Sequence, residues 1–299
     1  MVETVVAGNG DGVAAAVPRR HVWHRGTVQI LATGIPLLLL AVAAVAAPWL
    51  PIPDAGAIDL SSSLSPPVWL DGGSWDHLLG TDQLGRDLAT RLLWGARLTL
   101  LIAFSSTIIG AIVGTTLGML AGYVRGWTDF AISRFVDAQL AIPFLLLAIT
   151  IMTARGQSIG AIVAVLAIIG WAQYARVIRA EVLTLRSRPF ILGLRIAGAS
   201  PARIIFRHVL PNIADTLLVL ATLQVGYVIL AESALSFIGL GVASPDISWG
   251  AMLADGRELM TSAWWLVAFP GLSITIVVVL ISLLGDGVKA RFDPRARTR

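Results

Sequence analysis

The pentapeptide Gly156-Gln157-Ser158-Ile159-Gly160 matches G-x-S-x-G, the pattern in which a sharp strand-to-helix turn exposes a nucleophilic serine. That chemistry also needs a histidine and an acid within reach. Long apolar runs flank this serine, while His21, His24, His77 and His208 lie in separate polar segments. Ser158 stands instead in a short connection, where its hydroxyl would cap the helix that follows. The histidines show no H-E-x-x-H spacing and the chain has no cysteine, so neither a metal centre nor thiol chemistry is expected. There is no G-x-x-x-x-G-K-[ST] loop, and the sole lysine, Lys289, is near the C-terminus. The chain therefore cannot by itself cradle a nucleoside triphosphate in the usual way. No catalytic residue and no bound cofactor are expected.

The elements that position these residues are set by a membrane solvent. Of 299 residues, 56% are hydrophobic and 13% charged, with a mean hydropathy of +0.81, outside the balance of a soluble domain. Residues 1–26 show no sustained period and read as a mobile tail. Residues 28–50 carry no charge and are long enough to cross a roughly 30 Å hydrocarbon core as a helix. Ala44-Val45-Ala46 resembles a signal cleavage site, but the run is longer than a signal core and sits behind a long leader. Residues 51–79, rich in proline and aspartate, read as an ordered aqueous loop. A short helix over 87–96 precedes five more spans at about 98–122, 133–153, 158–178, 213–237 and 264–284. The fold class is all-α with six transmembrane helices.

Six spans put both termini on one side, and the basic residues choose the side. With the tails inside, only Arg86, Arg91, Arg97, Arg155 and Arg257 fall outside, which is the bias of the positive-inside rule. The net charge of +4 is thereby explained by topology, and no nucleic-acid partner is expected. Arg86, Arg91 and Arg97 cluster ahead of span two, where Asp82 and Asp87 are near enough to offset them. Three acids lie at membrane depth, where a charge costs about 2.5 to 3.5 kcal/mol on insertion scales. Asp137 and Asp215 are close to helix ends and can meet water or an arginine. Glu232 is deeper; it faces either a translocation path or a partner within the bundle. An ion-coupled transporter acting alone would use Glu232 and Asp137 as its coupling carboxylates.

Gly110, Gly114, Gly118 and Gly122 recur every four residues, a smooth stripe that admits a second helix at close range. That helix belongs either to this chain or to another subunit. The loop 187–212 is too organised for a linker. Phe190, Ile191, Leu194 and Ala197 share one face of a first short helix that stops at Gly198. Ser200 caps a second, Pro201 suits its first turn, and it ends before Pro211. Ile204, Ile205 and Val209 give it an apolar face, with Arg203 and Arg207 solvated. Such a segment lies on anionic lipid or docks into a groove of a soluble partner.

This loop resembles the cytoplasmic signature of ABC-importer permeases: Glu-Ala-Ala, three residues, Gly, nine residues, then Ile-x-Leu-Pro. Gly198 and Leu210-Pro211 fall at that spacing, while Leu192-Gly193-Leu194 replaces Glu-Ala-Ala and His208 takes the Ile position. Three further blocks resemble the C-type subunit of dipeptide, oligopeptide and nickel importers. They are residues 79–97 (Leu-Gly-Thr-Asp-Gln-Leu-Gly-Arg-Asp, then Gly95-Ala96-Arg97), residues 232–250 (Glu-Ser-Ala-Leu-Ser-Phe-Ile-Gly-Leu-Gly, then Ser248-Trp249-Gly250), and Leu284-Gly285-Asp286 with Asp293-Pro294-Arg295. The resemblance implies a type I ABC-importer permease fold in a bacterial cytoplasmic membrane, with both termini cytoplasmic. Residues 27–78 would form the first span and outer loop, 79–288 the permease core, and 289–299 a cytoplasmic tail. Phe190, Ile191, Leu194, Gly198, Ala199, Ser200, Pro201, Arg203 and Ile204 would couple to the ATPase, and Glu232 would lie on the path. The implied partners are a second permease subunit, two ATP-binding-cassette ATPase subunits or domains holding ATP and Mg, an extracytoplasmic substrate-binding protein and membrane lipid.

Overall fold

The computed structural model describes residues 20–292, and among them the structure is helical apart from turns and one isolated bridge between Thr81 and Asp87. Five helices are long and apolar enough to cross a membrane, and a bent pair passes the same test together, as a broken span or a re-entrant loop. The first is α1 (Arg20–Ala46), which begins inside the stretch read as a mobile tail. The remainder of that tail, residues 1–19, lies outside the described residues, as does the Asp293-Pro294-Arg295 motif.

Helix α2 (Leu88–Val124) corrects the expectation of a short helix followed by a span. No proline interrupts it, and Asp87 caps it by accepting from the Thr90 amide at 2.8 Å. At 37 residues it is about 55 Å long, so both ends project beyond the hydrocarbon. The chain then reverses at once, with φ of +68° at Arg125 and +62° at Gly126. The third span is broken. Helices α3 (Gly126–Ala141) and α4 (Phe144–Arg155) meet at 88°, because Pro143 has no N–H to offer and forces Ile142 out of the helical region, to φ −82° and ψ 123°.

Helix α5 (Ile159–Arg186) packs along α2, and the glycine stripe is the reason it can. A β-carbon at Gly114 would stand 2.5 Å from Tyr174 Cβ, one at Gly118 2.7 Å from the Ala175 carbonyl, and one at Gly122 2.9 Å from that of Arg179. The stripe's partner is thus a helix of the same chain. After the polar loop come α6 (Pro189–Ile196) and α7 (Pro201–Ile204), which widens into a π-turn over Ile205–Val209 and closes with the single turn α8 (Leu210–Asn212). The segment was expected to stop before Pro211. The wide turn, in which the Leu210 amide reaches back to the Ile205 carbonyl, loosens the backbone where the proline ring would crowd the carbonyl four residues earlier.

Helix α9 (Ala214–Phe237) returns through the bundle, α10 (Trp249–Gly256) lies across its far end, and α11 (Trp265–Phe292) completes the fold against α1 and α9. At one end of the bundle, here the loop end, α6–α8 sit with the start of α1 and the end of α11. The opposite cap end carries residues 51–87 and α10.

Candidate functional site

At the loop end, α6 closes with a double reverse bond. The Gly198 amide donates to the Arg195 carbonyl at 3.1 Å and that of Ala199 to Leu194 at 3.0 Å, with Gly198 at φ +79°, a conformation that glycine adopts without a side-chain penalty. The Ser200 hydroxyl caps α7 by accepting from the Arg203 amide at 3.4 Å. Of the face expected on the first helix, Ile191 and Leu194 turn inward while Phe190 and Ala197 are exposed. Ile191 and Ile204 are fully buried with Val209 and Ile213 against Met119, Tyr123, Ile178 and Val182 from the ends of α2 and α5. Leu194 and Ala199 pack partly into the same cluster. Ile191 and Ile204 therefore anchor the loop to the bundle and are not offered to an external partner.

The surface that is offered comprises Phe190, Gly198, Ser200, Pro201 and Arg203, joined by Ile196, 89% exposed, and Phe206, 67% exposed. Sequence reasoning missed these last two. Both are apolar residues off the apolar face, a signal visible only once the inward face is fixed. The loop's apolar core is continuous with the ends of α2 and α5.

Two ion pairs brace α3 against α5 at the same end. Arg179 makes a forked contact with Asp129, Nη2 to Oδ2 at 3.0 Å alongside a closer bond from Nε, and Arg176 meets Asp137 at 3.0 Å. Asp137 is thereby accounted for as half of an exposed ion pair. Changing Asp129 to Asn should lower the stability of the purified protein by about 1 kcal/mol, because a charge-assisted, half-buried bond becomes a neutral one. Thermal unfolding in detergent would read this, and adding Arg179→Gln should cost little more, whereas fully additive losses would show that the pair does not act as a unit.

At the cap end, Glu232 has its partners within the bundle. Its side chain is 1% exposed; Oε1 accepts from the hydroxyls of Ser236 at 2.7 Å and Ser248 at 2.8 Å. Ser248 also caps α10, accepting from the Ala251 amide at 3.1 Å. Trp249 then ties α10 to α2, its amide donating to Thr99 Oγ1 at 3.1 Å and its indole to the Leu92 carbonyl at 2.8 Å. A β-carbon at Gly250 would stand 2.7 Å from Ser233 Cα, so only glycine lets α10 lie this close to α9. Glu232 is a bracket inside the bundle.

Two of the basic residues on this side, Arg86 and Arg91, face acids close in space. Arg86 Nε donates to Asp82 at 2.7 Å, and buried Arg91 lies 3.5 Å from Asp82 and 3.6 Å from Asp255 of α10. Asp87, expected to share this task, caps α2 and faces His77. Loop 51–87 is further closed by Asp59, whose carboxylate accepts from the Ser61 and Ser62 hydroxyls and is held below the usual carboxylate range by them. Ser158 caps α5, accepting from the Ala161 amide at 3.2 Å.

This arrangement, a helical bundle with an organised two-helix loop at one end and a capped opposite end, has known counterparts. The chain resembles a subunit of the MetNI methionine ABC transporter in an inward-facing conformation, with a TM-score of 0.57 at 20% identity, over 69% of this chain and 98% of that one. The fold is that of a type I ABC-importer permease. Residues 114–298 match the family described as binding-protein-dependent transport system inner membrane component. Over 261 residues the chain is 43% identical to a di/tripeptide transport system permease protein of Pseudomonas aeruginosa, covering 87% of this chain and 86% of that one. It is 36% identical over 283 residues to a glutathione transport system permease protein of Pectobacterium atrosepticum, with 94% and 92% covered. The chain belongs to the family of binding-protein-dependent transport system inner membrane components. It is a multi-pass, non-catalytic permease component of a bacterial cytoplasmic membrane.

Proposed function

We propose that this chain forms half of the translocation pathway of an ATP-driven importer for di- or oligopeptides, and that loop 187–212 transmits the ATPase stroke. The observation that carries the proposal is the loop itself, with an apolar core rooted in α2 and α5 and an outward surface of Phe190, Ile196, Ser200 and Arg203. In this reading two ATPase subunits or domains hold ATP and Mg and grip that surface. When they close, the loop carries α2 and α5 with it as one body. Both termini are cytoplasmic, the loop faces the cytoplasm, and residues 51–79 and 239–262 meet a substrate-binding protein outside. A second, homologous permease subunit supplies the other half of the pathway. The open groove of about 550 Å³ between α2, α3 and α5, lined by Val113, Phe135, Gln139 and Trp171, is the surface we assign to that junction. The peptide substrate follows the names of the relatives; the wider family resemblance also admits nickel chelates.

The test is uptake of labelled dipeptides into proteoliposomes that hold this chain with its permease, ATPase and binding-protein partners. Uptake should require ATP and be indifferent to ionophores. Ile196→Asp should reduce it about thirtyfold, the factor equivalent to a 2 kcal/mol interface anchor, while the complex still forms. Uptake driven by an ion gradient without ATP would sink the proposal.

A further inference from the structure

Beside the coupling loop lies a second cavity, of about 550 Å³, whose lining contains two arginines and no carboxylate. Arg186 is the last residue of α5 and Arg195 sits in the last turn of α6. The Arg186 guanidinium lies 5.8 Å from the centre of the Tyr123 ring, and its Nη1 is buried without any hydrogen-bond partner. A buried guanidinium N–H with no acceptor is costly, and a ligand oxygen is what would satisfy it. The nearest acid in sequence, Glu181, is taken by the Thr216 hydroxyl at 3.0 Å.

Apart from Thr116 and Tyr123 the rest of the lining is apolar, and it borders the long apolar helix α2. Leu120, Val124 and Phe206 border the cavity. Leu120 and Val124 end an exposed row on α2 that begins at Ile108 and continues through Ile112 and Thr116 at four-residue spacing. That row runs about 24 Å along the helix, ample for the half-thickness of a roughly 30 Å core that one acyl chain occupies. The cavity therefore joins a two-arginine pocket, at the loop-end termini of α2 and α5, to a largely apolar track along α2.

We propose that this cavity binds an anionic phospholipid, its phosphate bridging Arg186 and Arg195 and an acyl chain lying on the Ile108–Val124 face of α2. Guanidinium groups suit phosphate through forked, charge-assisted bonds, and basic pockets between transmembrane helices suit anionic headgroups. A phosphate shared between the ends of α5 and α6 would fasten the coupling loop to the bundle. Anionic lipid would then raise the efficiency of coupling. Only this last consequence rests on the proposed function; the binding itself does not.

The experiment uses the assembled complex in nanodiscs of equal parts phosphatidylglycerol and phosphatidylcholine, with retained lipid read by native mass spectrometry. Wild type should retain phosphatidylglycerol with about a tenfold preference, the equivalent of one good charge-assisted contact. Arg186→Gln with Arg195→Gln should abolish the preference, whereas the Arg186→Lys, Arg195→Lys pair and the exposed control Arg188→Gln should keep most of it. Because the lysine pair preserves charge at the same positions, an effect of misfolding alone would not follow this order. Retention equal in the glutamine and wild-type proteins would overturn the proposal. So would displacement of the lipid by millimolar inorganic phosphate, which would make the ligand a soluble anion, or absence of any retained phosphatidylglycerol from the wild-type complex when this chain alone retains it, which would make the cavity a subunit contact. Lipid retention with no transport in any lipid would leave the site standing and remove the function instead.

Discussion

Gly114→Ala should prevent stable folding or cost at least about 3 kcal/mol, and Gly114→Leu should abolish accumulation of the protein in the membrane. A β-carbon there would stand 2.5 Å from Tyr174 Cβ and 3.0 Å from the Ala175 amide nitrogen. The second of these is backbone and cannot swing away, so α2 and α5 must separate, and overpacking of this kind already costs 1–3 kcal/mol where side chains alone yield. Since the loop core of Ile191, Ile204 and Val209 is built on the ends of these two helices, separation would disorganise the outward surface of the loop as well. Gly193→Ala is the contrasting change. Nothing lies within 4 Å of the added atom, and replacing a glycine inside α6 should stabilise the helix by up to about 1 kcal/mol. Membrane yield and thermal unfolding in detergent measure both; equal tolerance of the two would mean that α2 and α5 are not packed on the glycine row.

The second large effect is expected at Glu232. Glu232→Ala leaves the hydroxyls of Ser236 and Ser248 buried without their shared acceptor and opens a void, for a loss of about 3 kcal/mol. Glu232→Gln keeps an oxygen at the accepting position and should lose less than about 1 kcal/mol, with uptake near that of wild type. Thermal unfolding, together with proteolysis of the segment between α9 and α10, would read the difference. If Gln proved as damaging to uptake as Ala while leaving stability intact, the charge itself would matter, and the ion-coupled transporter would replace the bracket.

These two sites show what a single sequence makes legible. The Ser158 and Ser200 caps, the stop at Gly198 and the close approach encoded by the glycine row are local in the chain, and each appears in the structure at the residues that encode it. Partners across the chain are not local. The choice of α5 as the helix facing the glycines, of Ser248 for Glu232 and of Asp255 for Arg91 depends on how helices rotate, which periodicity does not specify. Arg91 and Arg97 read as the edge of a span because unpaired charges end spans; with acids from elsewhere beside Arg91, α2 runs through. The break at Pro143 is a different case. The proline was visible, but many membrane helices carry one without breaking, as Pro36 and Pro270 do here. In the loop, apolar spacing marks Ile191 and Ile204 but does not say that they face inward, leaving Ile196 to face out.

The most direct test of the central claim, that loop 187–212 is the surface gripped by an ATPase, exploits the absence of cysteine from the chain. Ile196→Cys places a single thiol at an 89% exposed position. Maleimide labelling would be measured in inside-out membrane vesicles, with and without the ATPase subunits, and from outside intact cells. Labelling should be rapid in vesicles lacking the ATPase, be slowed about tenfold or more once the ATPase is assembled, and not occur with an impermeant reagent from outside. A labelling rate unchanged by the ATPase, or modification from the outer face of the cell, would contradict it.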